Sequence, residues 1–352
     1  MTKRKSIDWP AVATAFAQRI SHGALHPDAM RTALAEFERE KRENARRQPR
    51  WSLAFSGGAD SLALLLILWA EGPGRWGRNF TVLHFNHRLR GRAADADEKF
   101  CAGVCATLGV KFVAGQWSAA RTGASEAEAR AARFEFFYRE MRRRKIRLLW
   151  LGQQQDDIAE TMLMRLARGS GSAGLAAPRP AQPMPEGRWH LRPLLTLKKA
   201  EITAALRASG AIWREDATNA HGDFFRNRIR RDVLPRWIEA AQRDALAGAA
   251  LARELLAEDD AALEARVDEL APLLPDRALA LKKIAGQPRA IVRRALHRWL
   301  RAQSGAGELA RQGFEALLAA VERGRPTRHS LGSEGFAVIR GGYLCYARPE
   351  TR

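Results

Sequence analysis

The sequence predicts an α/β fold, a parallel sheet with helices on both faces, followed by a smaller, mostly helical C-terminal domain that ends in a β-hairpin. Three observations carry this. Short β-rich runs, Trp51–Phe55, Phe80–Phe85, Lys111–Ala114 and Arg147–Leu151, alternate with helix-length segments, as in sheets whose strands are covered by helices. From about Trp237 to Ala320 the chain turns Ala- and Leu-rich with helical periodicity. Near the end, Phe336–Arg340 and Tyr343–Tyr346 flank Gly341-Gly342, a pair suited to a tight turn. No internal repeat is visible.

Taken in order, residues 1–48 form a basic helical extension with two short helices. One follows Asp8-Trp9-Pro10; the other opens at Pro27-Asp28 and carries Met30, Leu34 and Phe37 on one face. The basic run Lys41–Arg50 reads as a solvated helix face or as a contact to RNA phosphates. Residues 49–236 make the sheet domain. Within it a helix starts at Ser125 with a capping box to Glu128 and ends in Arg142-Arg143-Arg144-Lys145, where the helix dipole favours positive charge. Five prolines between 178 and 193 predict a loop there rather than a regular element. Residues 237–352 make the C-terminal domain, expected to contact RNA.

The chain has 352 residues, of which 46% are hydrophobic and 28% charged, enough for a real core. Lys and Arg number 59 against 39 Asp and Glu, so the formal net charge is +20 and a polyanion, foremost nucleic acid, is the expected partner class. The longest apolar run, Leu62–Ala70, is about half of the ~20 residues a membrane span needs, so no membrane partner is expected. Met-Thr-Lys-Arg-Lys opens the chain without the apolar stretch of a secretory signal, which predicts a cytoplasmic protein. Three cysteines exclude a disulfide scaffold. Cys101 and Cys105, four apart in a helical pattern, read as small core residues rather than half of a metal site.

Chemistry concentrates in a few segments. Leu53-Ala-Phe-Ser56-Gly57-Gly58-Ala59-Asp60-Ser61 is a strand running into two glycines and an apolar helix. Glycines let the backbone approach a phosphate, and the helix start offers N–H groups and a positive dipole end. The glycine spacing differs from a Walker A loop and its lysine is missing. His84-Phe85-Asn86-His87-Arg88-Leu89-Arg90 ends the second strand, where open α/β sheets place ligand groups, although strand-end packing explains it equally. Arg130 and Arg133, three apart on one helix face, suit two phosphates, a phosphate and an acid, or a plain surface pair.

Asp156, Asp157 and Glu160 open a helix after a strand. Three carboxylates there suit Mg²⁺ through water, a cationic amine, or simply the helix dipole. Last come Trp213-Arg214-Glu215-Asp216-Ala217-Thr218-Asn219 and Phe225-Arg226-Asn227-Arg228-Ile229-Arg230-Arg231. Its arginines cannot all face one way, which divides them between phosphate contact and solvent.

Ser56–Ser61 matches the Ser-Gly-Gly-x-Asp-Ser signature of the PP-loop ATP pyrophosphatases. With the further segments in the same order, residues 50–236 resemble the tRNA(Ile)-lysidine synthase family. The resemblance implies an adenine nucleotide alpha hydrolase-like fold. It also implies a ligase that adenylates the wobble cytidine of a CAU-anticodon isoleucine tRNA with ATP and Mg²⁺, and then joins free L-lysine to C2.

By the same resemblance, Ser56, Gly57, Gly58, Ala59, Asp60, Ser61, Asn86 and His87 serve ATP, with Asp60 near Mg²⁺. Asp60, Asp157, Glu160 and Arg130 are the catalytic candidates, with Asp157 and Glu160 gripping lysine. Arg133, Asp156, Arg226, Asn227 and Arg230 face substrate or RNA. One departure stands out: Gln153 and Gln154 occupy the place where the family usually has histidine, so a proton-carrying role is lost and an orienting role survives. That departure motivates the alternative of a non-catalytic tRNA-binding homologue. A PP-loop tRNA thiolase is a second alternative, disfavoured by the spacing of the cysteines. A homodimer is compatible with the sequence and not derivable from it.

Overall fold

A computed structural model describes residues 7–44, 49–75, 79–119, 125–215, 224–303, 309–332 and 335–348. The chain divides into two compact units, Met1–Glu254 and Leu255–Arg352.

The first unit opens with α1 (Trp9–Arg19), where Pro10 pre-sets the first turn and the Asp8 carboxylate accepts the Ala11 N–H at 3.1 Å. Next comes α2 (Pro27–Glu43), capped by His26. Its buried arc centres on Ala33 and includes Ala29, Met30, Glu36 and Phe37. Leu34, expected on that face, is 40% exposed, because it lies one step round the helix from an arc set by the small residues Ala29 and Ala33. Both helices share one apolar core with the sheet domain.

The sheet domain runs β1 (Trp51–Ala54), α3 (Ala59–Arg75), β2 (Phe80–Asn86), α4 (Arg92–Thr107), β3 (Lys111–Gln116), α5 (Glu126–Arg144), β4 (Leu148–Trp150), α6 (Gln155–Leu166), α7 (Ser172–Leu175), β5 (Ala181–Met184), β6 (Arg188–Leu191) and α8 (Lys199–Ala208). The strand order is β3-β2-β1-β4-β6-β5, parallel throughout except for β5. Trp51 pairs with Phe80 on one side and Leu148 on the other, so β1 is central and Trp51, Ser52 and Leu53 are buried. Leu62 to Leu68 of α3 are fully buried, each Leu contributing roughly 1.5–3 kcal/mol by burial. The capping box predicted at Ser125 forms, with the Glu128 N–H 3.1 Å from Ser125 Oγ.

The proline-rich stretch 178–193 corrects the expectation of a loop: it holds β5 and β6. Pro183 is tolerated because β5 is the edge strand, where a missing N–H costs no inner ladder bond. Pro185, Glu186 and Gly187 make the turn, and β6 itself contains no proline.

After α8 come α9 (Phe225–Arg228), a π-helical turn over Ile229–Val233, α10 (Leu234–Ala241) and α11 (Ala245–Leu270). The second unit contains β7 (Leu279–Ala280), α12 (Leu281–Ile284), α13 (Arg289–Ala302), α14 (Arg311–Arg323), β8 (Thr327–Ser330), β9 (Phe336–Arg340) and β10 (Tyr343–Ala347). Its core gathers Leu296, Trp299, Phe314, Leu317, Ile339 and Leu344. The predicted hairpin exists, with Gly341 and Gly342 at φ 59° and 81°, values a two-residue turn demands. It is the middle of a four-stranded antiparallel sheet, β7-β10-β9-β8, because β7 and β8 satisfy its outer edges. Among the described residues no helix is long and apolar enough to cross a membrane.

Candidate active site at the strand ends

The chain reverses its winding direction at β1, with β2 and β3 to one side and β4 and β6 to the other. The loops leaving β1 and β4 therefore diverge at a switch point, the usual ligand crevice of an open parallel sheet. Ser56–Ser61 lies there. Gly57 adopts φ 86°, which favours glycine, and any Cβ would meet Cys101 Sγ at 3.1 Å. The Ser56 N–H donates to Ser61 Oγ at 3.2 Å, and the Ser61 hydroxyl donates to the Gly58 carbonyl at 3.0 Å, folding the loop over the start of α3. Beneath it Cys101 and Cys105 are buried core residues, and burial pushes the Cys105 thiol up to about 12. Asn86, at the end of β2, gives its amide to Asp95 at 3.1 Å and Glu98 at 3.0 Å. The ring of His87 stands edge-on to Phe85.

Lys199 Nζ lies 2.7 Å from both oxygens of Asp60. Burial raises the Asp60 pKa against the pull of Lys199. The Lys199 backbone N–H donates to Asp156 at 2.9 Å, so the first turn of α8 ties the Ser56–Ser61 loop to α6. Gly152 completes the junction, since a Cβ there would sit 2.9 Å from the backbone of Asp60 and Ser61.

The three acids of α6 do not point together. Asp156 faces α8, whereas Asp157 and Glu160 face α9 and the π-helical turn. Asp157 also accepts the Gln154 N–H at 2.9 Å, and the Gln154 side chain accepts the Asp156 N–H at 2.6 Å, so Gln154 is the N-cap of α6. Glu160, 1% exposed, takes Arg226 Nε at 2.8 Å and Arg230 Nε at 2.5 Å, and Arg226 also meets Asp157. Burial alone lowers the Arg226 pKa, but Asp157 and Glu160 outweigh it and raise the guanidinium. Arg228 and Arg231 point elsewhere, the former over the Phe225 ring and the latter to Asp232, so the arginines divide, with Arg226 and Arg230 set against carboxylates.

On α5, the guanidinium carbons of Arg130 and Arg133 lie 4.8 and 5.5 Å from the centre of the Phe134 ring. That ring packs on His190 of β6, whose Nε2 is 3.0 Å from the Tyr138 hydroxyl. Gln153 accepts from Arg192 Nε. Asp216, Ala217, Thr218 and Asn219 lie outside the described residues. Arg214 is described, and its N–H donates to the Gly57 carbonyl at 2.9 Å.

The family model of the PP-loop domain matches residues 29–237, more than half of the chain. The chain belongs to the PP-loop domain family. Among curated proteins it is similar to tRNA(Ile)-lysidine synthase of Geobacter sulfurreducens, 39% identical over 62% of this chain and 46% of that protein. The Solibacter usitatus protein of the same name is 42% identical over 53% and 40% respectively, and that of Deinococcus radiodurans 35% identical over 84% and 47%. The chain thus spans 40–47% of the length of these relatives.

Within the PP-loop domain, sequence reading missed Lys199 and Arg192, and it singled out the segment of Arg214 without giving that residue a role. Lys199 lies 139 residues beyond Asp60, so only the fold joins them. Arg192 follows a strand that the prolines concealed, and Arg214 enters through its backbone as much as its side chain. One signal was available: a phosphate loop without its own lysine calls for a cation from elsewhere.

Proposed function

We propose that this PP-loop protein is a tRNA(Ile)-lysidine synthase, a ligase that uses ATP to place lysine on the wobble cytidine of a CAU-anticodon isoleucine tRNA. One observation carries the reading. The phosphate loop and a recessed carboxylate pair meet at one sheet switch point, clasped by Lys199 through Asp60 and Asp156, so a nucleotide and a cationic amine would be held side by side. Net charge +20 supports a polyanionic substrate.

In the proposed reaction the cytosine O2 attacks the α-phosphorus of ATP and pyrophosphate leaves. The lysine side-chain amine, after losing one proton, attacks C2; AMP departs with O2, and a second proton leaves the new C–N bond. Ser56–Ser61 holds the phosphates, Asp157 and Glu160 hold the incoming ammonium, and Arg226 and Arg230 yield to it. A free amine is protonated near neutral pH, so a carboxylate neighbour is needed to hold it and take its proton. Gln154 caps α6 and Gln153 orients Arg192, the orienting role left once histidine is replaced.

Among the described residues no group of three His, Cys, Asp or Glu could hold a metal alone. This fits Mg²⁺ arriving with phosphates and taking one protein carboxylate, Asp60, where it would neutralise charge on the triphosphate. The test is incubation with ATP, Mg²⁺, labelled lysine and the unmodified tRNA transcript. Label in RNA that requires ATP and that anticodon is expected. Pyrophosphate without label points to another nucleophile, and tRNA binding with neither signal indicates a non-catalytic homologue.

A further inference from the structure

We infer that residues 7–26, which precede the family match at residue 29, are a positioning element of the nucleotide site. They back the Ser56–Ser61 loop through Trp9 and hold the Lys199 segment through Ala24 and His26.

The first route runs through side chains. Helix α1 packs on α3, α8 and α4. Of these, α3 follows the Ser56–Ser61 loop, α8 begins with Lys199, and α4 carries Phe100 and Cys101 beneath Gly57. A Cβ on Gly57 would lie 3.4 Å from Phe100 Cδ1, so the Phe100 ring is part of the floor on which the loop turns. Trp9, 5% exposed, stands edge-on to that ring with centroids 6.0 Å apart. One aromatic ring thus separates the start of α1 from the glycine turn. Farther along, His22 Nδ1 lies 2.7 Å from Glu71, which fastens the segment to α3 a second time.

The second route runs through backbone. Pro193–Thr196 is one 3₁₀ turn whose Pro193, Leu194 and Leu195 are buried, and a buried turn must find partners for its peptide groups. The Leu197 N–H closes on the Leu194 carbonyl at 3.0 Å. The Pro193 carbonyl accepts the His26 N–H at 2.8 Å, and the Leu197 carbonyl accepts the Gln155 N–H at 2.9 Å. The Thr196 hydroxyl donates back to the Ala24 carbonyl. Leu25, 3% exposed, belongs to the same apolar core as Leu194 and Leu197. Three residues beyond Thr196 stands Lys199, whose N–H binds Asp156 and whose ammonium binds Asp60. A shift of the turn is therefore passed along a few bonds of chain to both carboxylates.

An extension that only enlarged the core would add stability and leave nucleotide affinity alone. One that fixes the loop and Lys199 in advance adds affinity as well, because a pre-set site is spared the cost of ordering when the nucleotide arrives. This inference rests on membership of the PP-loop family and not on the amine or RNA that the nucleotide serves.

The experiment uses the full chain as wild type, Thr196→Val, Thr196→Ser and Trp9→Leu. It measures the Kd of a non-hydrolysable ATP analogue well below the unfolding temperature, and hydrogen exchange of the peptides that contain Gln155 and Lys199. Thr196→Val deletes a hydroxyl on an exposed side chain and keeps its shape, so folding is preserved. It is expected to raise the Kd about threefold and to speed exchange at Gln155 and Lys199 by a similar factor, the scale of one net hydrogen bond. Thr196→Ser keeps the hydroxyl and should return both readouts to wild type, a rescue that a packing role would not give. Trp9→Leu removes the ring against Phe100 and should raise the Kd through the loop; should it fail to fold, the two Thr196 variants decide. A raised Kd in either variant supports the positioning element and identifies the route that carries it. A Kd unchanged in Thr196→Val and in any folded Trp9→Leu, with only the unfolding temperature lowered, overturns it. No lysine or tRNA enters this experiment, so its failure and that of the lysine-transfer reading are told apart.

Discussion

Asp60, Glu160 and His190 show how side-chain chemistry here is set by neighbours. Asp60 is buried enough for its pKa to rise, and Lys199 keeps it usable as a carboxylate. Glu160 is enclosed by two arginines, so replacing either class of partner would strand charge. His190 gives a pH signature. Its folded pKa is about 3 against the ordinary 6.5, lowered first by burial and then by Arg192 and Arg130. Below pH 6.5 the unfolded chain takes up a proton that the folded chain refuses, so stability falls as pH drops from 6.5 toward 3. Between about pH 7 and pH 5 this residue alone is expected to cost about 2 kcal/mol. Urea unfolding at both pH values should show His190→Gln losing less stability than wild type by about that amount; equal losses would contradict the shift.

At the scale of elements, the candidate site depends on close approach between the β4–α6 loop and the first turn of α3. Gly152 allows it, and the alternative contact for a Cβ is rigid backbone at 2.9 Å. Gly152→Ala should therefore part the phosphate loop from the acid pair. We expect a stability loss of about 1–3 kcal/mol from overpacking and weaker binding of an ATP analogue. Thermal unfolding and nucleotide titration check both, and an unchanged titration would show that the approach does not serve the nucleotide. The π-helical turn at Ile229–Val233 acts on the same geometry from the other side, inserted between helices α9 and α10 where Arg226 and Arg230 both reach Glu160.

For the whole molecule, the excess of basic residues makes electrostatics the first term in the RNA affinity proposed for this chain. Binding of the tRNA transcript should weaken steeply between about 50 and 200 mM salt, and log K against log salt should fall with a slope near −0.7 per single-stranded phosphate contacted. Filter binding across that range measures it; a flat plot would mean that the charge of +20 is not directed at RNA. The relatives named tRNA(Ile)-lysidine synthase extend beyond the portion this chain matches, which makes RNA affinity of the chain itself an informative quantity.

Much was legible from local pattern. The strands at Trp51, Phe80, Lys111 and Leu148, the capping box at Ser125, the Gly-Gly hairpin and the Ser56–Ser61 loop all follow from short-range rules of periodicity, capping and turn geometry, which a linear sequence displays. β5 and β6 were hidden because proline penalises an inner strand and not an edge, and only sheet order says which strand is the edge. The division of Asp156 from Asp157 and Glu160 and the clasp of Lys199 on Asp60 were decided by tertiary structure alone. Each joins residues distant in sequence, and Coulomb energy depends on distances in space that the fold creates.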